Sequence, residues 1–398
     1  MQAENPEVTP EALHSFYRPD GTVLGHLVID STIGGVSGGG IRMVRQMSTA
    51  DLCHLARAMT LKYAFLKWPF GGAKAAILTH RDTMSPQDRQ QIVRSFAERL
   101  APFRGRYLPG EDAGTNDEDL RLICRTAGLM RPQSARDSGY YTALTVRLCI
   151  EQMAAARKLP LNGCRVAIEG FGKVGGALAE QLVGIGCRIV AVSTDRGALY
   201  DPEGLDVMHL LRERAAAGSD CVNRYDPSRR IAAADVLAVP ADLFVPCALS
   251  WSVNSANAEH VQARTIVCGA NNPVTQKARE ALAARGITYF PDFVSNSGGV
   301  LGSILGSLTL DHEKIVQFIR QYFTPKVESL TAQARQTDQS FEEVARKIAG
   351  ANLEAMKQAA SRRKNPLVSW VIGLGRRGRL PGVLTRTFGP AYVRTTIS

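Results

Sequence analysis

The sequence predicts an α/β protein of two domains around a cleft, followed by helices that pack back. Three observations carry this expectation. Cys164 to Ser193 reads as strand, glycine turn, helix and strand within about thirty residues. Strand and helix patterns also alternate from Gly21 to Ile123, and helical spacing returns from Asp311 to Ala360. A chain of 398 residues is long enough for two or three domains. The expected limits are a mixed-sheet α/β domain over 1–140, a Rossmann-like dinucleotide-binding domain over 145–305, C-terminal helices over 306–360 and a basic tail over 361–398.

Gly21 to Thr32 (GTVLGHLVIDST) alternates as a strand does, and the glycine cluster from Gly34 to Met43 (GGVSGGGIRM) is expected to interrupt the next strand. Ser48 then caps a helix: Asp51 stands at its third position, and Leu52, Leu55, Met59, Tyr63 and Leu66 keep helical spacing. Lys62 falls near the C-terminal end of that helix. A second helix starts after Ser85 with Pro86 in its first position, where the missing N–H does no harm. Gly105 to Ile123 (GRYLPGEDAGTNDEDLRLI) supplies a strand, a loop holding Asp112 and another helix start. In the second half, Cys164 to Glu169 is a short buried strand, Gly170 to Gly175 (GFGKVG) a turn, ALAEQLVGIG a helix and CRIVAVS a strand. Further strands are expected in Val236 to Leu249 (VLAVPADLFVPCAL) and Thr265 to Pro273 (TIVCGANNP). Ser340 with Glu343 makes a capping box for the last helix.

Composition narrows the class. With 45% hydrophobic and 21% charged residues the chain is of the soluble globular kind. No apolar run reaches membrane-spanning length and the first residues, MQAENPEVTP, are acidic and polar, so neither a span nor a signal peptide is expected and the cytoplasm is the expected compartment. Eight cysteines lie singly with no CxxC pair, which argues against a disulfide framework and a metal site. From Lys357 to Ser398 there are nine lysines and arginines and no acid, so most of the net charge of +11 sits in about the last tenth of the chain. A nearly neutral body tells against nucleic acid as a partner. The tail suits a partner subunit, an anionic surface or a groove on its own body, and docking within an oligomer is preferred.

Two lysines stand out. Lys74 lies between GGA and AAI, where glycine and alanine bring backbone and apolar groups close, and desolvation there disfavours the charged form. An ordinary solvated lysine is the plainer alternative, and Lys67, between Leu66 and Trp68, reads as one. Asp112 precedes Ala-Gly-Thr, which suits a turn or cap, and a functional reading needs it near Lys74. The GFGKVG turn, framed by strand, helix and strand, points to a dinucleotide, because its glycines admit a pyrophosphate at a helix N-terminus. At the end of the second strand the acid that would take ribose hydroxyls is displaced: Ser193-Thr194-Asp195-Arg196 leaves NAD and NADP both open. Asn271, after a buried strand, is either a ligand contact or a turn former.

GGGIRM, MTLKYA, PFGGAK, GRYLPGEDAGT, GFGKVG, VPCAL, GANN and PDFVSNSGGV, in that order from about Val23 to Ile315, resemble the signatures of the glutamate, leucine, phenylalanine and valine dehydrogenase superfamily. The glycine-rich strand, GRYLPGEDAGT and VPCAL lean to the leucine and phenylalanine branch. The resemblance implies reversible oxidative deamination of an L-amino acid to a 2-oxo acid and ammonia with NAD or NADP, an N-terminal substrate and oligomerisation domain, and a homo-oligomer. By motif, Lys62 would bind the substrate α-carboxylate, Lys74 would activate water and Asp112 would relay protons. The resemblance also implies Gly38, Gly39, Gly110, Val300 and Ser303 around the substrate. Toward the cofactor it implies Thr142, Gly170, Phe171, Gly172, Lys173, Val174, Gly175, Thr194, Asp195, Cys247, Ala248 and Asn271, with no metal.

The glutamate enzymes carry a lysine where this chain has Gly38, so glutamate is disfavoured. Gly38, Gly110 and Ser303 together lead to the expectation of a wide pocket for a bulky, aromatic or long side chain, unless other groups refill the space. Two other functions compete. An enzyme of the same fold that reduces or couples an imine would consume NAD(P)H with a 2-oxo acid without ammonia. A nucleotide-sensing or assembly protein would show no turnover, and only the basic tail speaks for it.

Overall fold

The computed structural model describes residues 4–81, 83–131, 137–307 and 311–362. The basic tail from residue 363 on therefore lies outside the described residues. Two compact units are formed: one from 7–133 with the described parts of 303–310 and of 346–398, the other from 134–302 and 311–345 with the first residues of the chain.

In the first unit the chain runs β1 (Ala12–Tyr17), β2 (Val23–Ile29), β3 (Ser37–Val44), α1 (Thr49–Phe65), β4 (Gly71–Leu78), α2 (Pro86–Leu100), β5 (Tyr107–Glu111) and α3 (Asp117–Ala127). The strands form a five-stranded mixed sheet in the order β1-β2-β4-β3-β5, antiparallel at β1-β2-β4 and parallel at β4-β3-β5. Ser48 and Ser85 cap α1 and α2, each accepting from the backbone N–H three residues on, as the sequence predicts. Asn116 and Asp119 close a reciprocal capping box on α3. Period-two alternation in β4 sends Ala73, Ala75 and Ile77 to a core with Phe96 and Ile123, and Ala76 and Leu78 to a cluster with Leu52 and Leu55 of α1. Lys74 shares the parity of the second set.

The expected interruption of the strand after Ile29 is not there. Gly34 and Gly35, at φ 55° and 74°, make a turn closed by the Ile33–Val36 bridge, and β3 then runs unbroken through Gly38, Gly39 and Gly40. Ladders on both sides, Gly38 to Gly72 and Gly40 to Gly110, hold residues that have weak strand preference of their own. The strand β1 carries no signal strong enough to have been expected.

The second unit contains α4 (Ser138–Arg157), β6 (Arg165–Glu169), α5 (Lys173–Val183), β7 (Arg188–Thr194), β8 (Gly197–Tyr200), α6 (Val207–Ala217), α7 (Cys221–Arg224), β9 (Arg230–Ile231), β10 (Leu243–Pro246), β11 (Thr265–Val267), α8 (Gln276–Ala284), β12 (Thr288–Phe290) and α9 (Asp292–Ser295). Its seven-stranded sheet has the order β12-β11-β10-β6-β7-β8-β9, parallel from β12 to β7 and antiparallel beyond. Strand order reverses between β6 and β10, the place where open α/β sheets bind ligands at their carboxyl ends. Val236 and Leu237, expected to begin a strand, lie in a short 3-10 turn (Ala233–Leu237); Pro240 separates them from β10. After α10 (Gly298–Ser307), α11 (His312–Thr337) packs on α4. The last helix, α12 (Phe341–Arg362), opens with the Ser340–Glu343 box, and within the first unit, to which its residues from 346 on belong, Asn352 Nδ2 donates to the Ala64 carbonyl.

Candidate active site

One face of the five-stranded sheet gathers the chemistry. Lys74, only 3% exposed, points off β4 on the α1 side and places Nζ 2.8 Å from Asp112 Oδ2. Asp112 follows β5 in a turn fastened by Thr115, whose Oγ1 donates to the Ile41 carbonyl of β3 while accepting the Asp112 N–H. Arg42, two residues along β3 from Gly40, sets its Nε 3.1 Å from the same Oδ2. Three strands thus bring two cations to one carboxylate oxygen. Burial disfavours the Asp112 anion, but the charges of Lys74 and Arg42 outweigh it and hold the carboxyl well below its ordinary value. Burial also pushes the Lys74 ammonium down, and Arg42 adds to that push, against the attraction of Asp112. The result is an acid that stays ionised beside a lysine that gives up its proton more easily than a solvated one. Lys62, near the end of α1, is 4% exposed, whereas Lys67 is fully at the surface with φ 53°.

The pocket glycines divide. A Cβ on Gly110 would meet nothing nearer than Gly40 Cα at 3.9 Å, so the surface above it is open. Above Gly38 the expectation of free width fails: a Cβ there would lie 2.7 Å from Tyr63 Oη, because the tyrosine of α1 already fills that space. Gly39 is a glycine for reasons inside the sheet, since its Cβ would lie 1.6 Å from the Ala73 carbonyl oxygen, and its own carbonyl accepts from Tyr107 Oη. Room for a substrate is not the reason. Val300 and Ser303, three residues apart on α10, are both half-buried.

In the seven-stranded unit the glycine turn has the form that a pyrophosphate requires. Gly170 has φ +88°, donates its N–H to Ser193 Oγ and packs so closely on Ala248 that a Cβ would lie 2.7 Å from the alanine's. Gly175 admits α5 against the Gly170 carbonyl, which a Cβ would approach to 1.9 Å. Gly172 caps α5 without a side-chain hydrogen bond and faces open space, leaving the helix N–H groups for an anion. Lys173 is exposed and pairs with Asp137, 3.3 Å away; Val174 packs near Gly269 beside Cys247. Phe171 is 2% exposed, so its ring is core and only its backbone lies in the turn. The Thr194 hydroxyl donates to the Ser219 carbonyl, while Asp195 stands exposed just past β7. Thr142 lies on α4 against Gly299, and Asn271 Oδ1 accepts from Asn296 Nδ2.

Arg42, Tyr63, Thr115 and Asn296 are the residues that sequence reasoning missed, and Ser193, read there only as a possible phosphate contact, instead holds the Gly170 N–H. Arg42 had a usable signal, its even spacing from Gly38 and Gly40 on one strand face; the others depend on contacts between distant segments. Among the described residues no group of histidines, cysteines and acids is placed to hold a metal, and no helix is long and apolar enough to cross a membrane.

Family models for "Glutamate/Leucine/Phenylalanine/Valine dehydrogenase" and "Glu/Leu/Phe/Val dehydrogenase, dimerisation domain" match residues 135–365 and 14–128. The NAD-specific glutamate dehydrogenase of Staphylococcus aureus is 31% identical over 306 residues, 71% of this chain and 72% of that protein. A hetero-hexameric glutamate dehydrogenase from Thermus thermophilus, solved in a leucine-bound form, is 28% identical with a TM-score of 0.77 over 88% of this chain and 89% of its own. The L-tryptophan dehydrogenase of Nostoc punctiforme shares the fold, at 23% identity and a TM-score of 0.62 over 87% and 96% of the two chains.

Proposed function

Because the chain belongs to the glutamate/leucine/phenylalanine/valine dehydrogenase family and is an oxidoreductase of amino-acid CH–NH2 groups, we propose that it deaminates an L-amino acid with an uncharged, bulky side chain. The products are the 2-oxo acid and ammonia. The observation that carries this is the buried Lys74–Asp112 pair with Arg42 on the same oxygen. Lys62 holds the substrate carboxylate as a fixed ammonium. Asp112, kept ionised, accepts a proton from the substrate amino group. A nicotinamide cofactor, which the turn from Gly170 to Gly175 at the N-terminus of α5 would hold, would supply the acceptor for the hydride of the substrate Cα. Neutral Lys74 then removes a proton from the water that adds to the iminium carbon, and Asp112 returns one to the departing ammonia. Water supplies the oxygen, and two electrons leave as the hydride.

NAD is the proposed cofactor. Asp195, exposed past the end of β7, suits ribose hydroxyls and repels a further phosphate, and the Thr194 hydroxyl is already bonded within the protein. The preference against glutamate rests on Gly38, where a neutral phenol stands in place of a cation; burying a carboxylate without a partner is costly. It runs against the names of the sequence relatives, which are glutamate dehydrogenases, and with that of the L-tryptophan dehydrogenase that shares the fold. The lean to the leucine and phenylalanine branch rests on the glycine-rich strand, GRYLPGEDAGT and VPCAL. The match of residues 14–128 to a dimerisation domain supports a homo-oligomer. The test is a panel of amino acids, glutamate included, with NAD and NADP; turnover of glutamate above every uncharged amino acid would remove the substrate proposal.

A further inference from the structure

Tyr63 is placed oddly for a core residue. It is 6% exposed, its ring is set edge-on to Phe70 with centroids 5.6 Å apart, and its backbone carbonyl accepts the Trp68 N–H. No hydrogen bond of its hydroxyl is found among the described residues, and that oxygen is not one of the buried side-chain atoms left without a partner. That oxygen stands over Gly38, 2.7 Å from where a Cβ would be, on the sheet face that carries Lys74, Arg42 and Asp112. The next glycine on that side, Gly110, opens to empty space. Burial pushes the phenol far above its ordinary value, so the group is a neutral donor and acceptor.

We propose that the Tyr63 hydroxyl reads the far end of the substrate side chain, selecting an uncharged side chain that carries a hydrogen-bonding atom over an apolar one of similar size. This rests on the function proposed above and narrows its substrate class. A side chain of that kind offers the hydroxyl a hydrogen bond at the site. An apolar side chain offers it none, and a carboxylate meets a neutral partner where it needs a cation. Lys62, next in sequence, stands about 100° away around the helix.

The test compares wild type with Tyr63→Phe on two substrate pairs, tyrosine with phenylalanine and glutamine with norleucine. Wild type is expected to favour the polar member of at least one pair, and in Tyr63→Phe that polar-to-apolar ratio of kcat/KM is expected to fall about tenfold, the size of one net hydrogen bond. The thermal midpoint of the variant is expected to stay level, because no hydrogen bond among the described residues is lost. An unmoved ratio in both pairs would overturn the proposal, as would preference of wild type for the apolar member of both, or a midpoint lowered by several degrees, which assigns the hydroxyl a structural task. Absence of turnover with any amino acid would overturn this proposal and the proposed function together; turnover with an unmoved ratio overturns this one alone.

Discussion

Lys74 is a lysine that its own neighbours make reluctant to carry charge. Burial and Arg42 press its pKa below the ordinary 10.5, and Asp112 presses back. If the neutral amine is the working form, the rate of deamination rises with pH as Lys74 loses its proton, with the half-rise below 10.5. Arg42→Gln removes one of the two forces lowering that pKa and leaves the attraction of Asp112, so the alkaline rise is predicted to move to higher pH. The pH profile of kcat/KM for one amino acid, measured on both proteins, checks this, since the substrate's own amino group contributes equally to each. A limb that stays in place or moves down contradicts it. The oddity of Lys74 was legible because its causes are its immediate neighbours, glycine and alanine on both sides. The partners of Asp112 were not fully legible, because Arg42 reaches it only through the pairing of β3 with β5. Tyr63 was visible only as a helical spacing residue; nothing local says that its hydroxyl comes to rest over Gly38.

Elements whose signals are local were read correctly, and those held by neighbours were not. Ser48, Ser85 and Ser340 cap their helices as expected because a cap is decided within four residues. The βαβ turn of β6, α5 and β7 was legible for the same reason. Strand β3 was misread because three glycines look like a break, and only the ladders on either side make them a strand. The glycine turn supplies a prediction at this level. Gly175→Ala drives a methyl toward the Gly170 carbonyl, 1.9 Å from an ideal Cβ, and must displace α5 from β6. Binding of NADH, followed by fluorescence, is predicted to weaken at least about tenfold, as a lost pyrophosphate cradle requires. Ser193→Ala, which frees the Gly170 N–H from its buried acceptor, is predicted to weaken binding less. Equal affinity in Gly175→Ala and wild type would contradict the assignment. In the other sheet, Gly110→Leu fills the open floor, and kcat/KM is predicted to fall more for tryptophan or phenylalanine than for alanine; a uniform fall would place the pocket elsewhere.

For the molecule as a whole, the division into two α/β units is the best-supported level, since composition, motif order, both sheets and the family models agree on it. A homo-oligomer was expected only from the basic tail and from the resemblance, because an interface has no period in the sequence. Light scattering of the full chain is predicted to give a homo-oligomer, and a monomer at assay concentration would contradict that. The central claim is that a desolvated lysine beside an ionised aspartate performs amino-acid deamination. It is tested most directly by following NADH formation at alkaline pH from a panel of L-amino acids with wild type and Lys74→Ala, with NADH binding measured on both. Wild type is predicted to turn over at least one uncharged amino acid, and Lys74→Ala to lose about a thousandfold in rate while binding NADH as wild type does; wild-type turnover in Lys74→Ala would contradict the account.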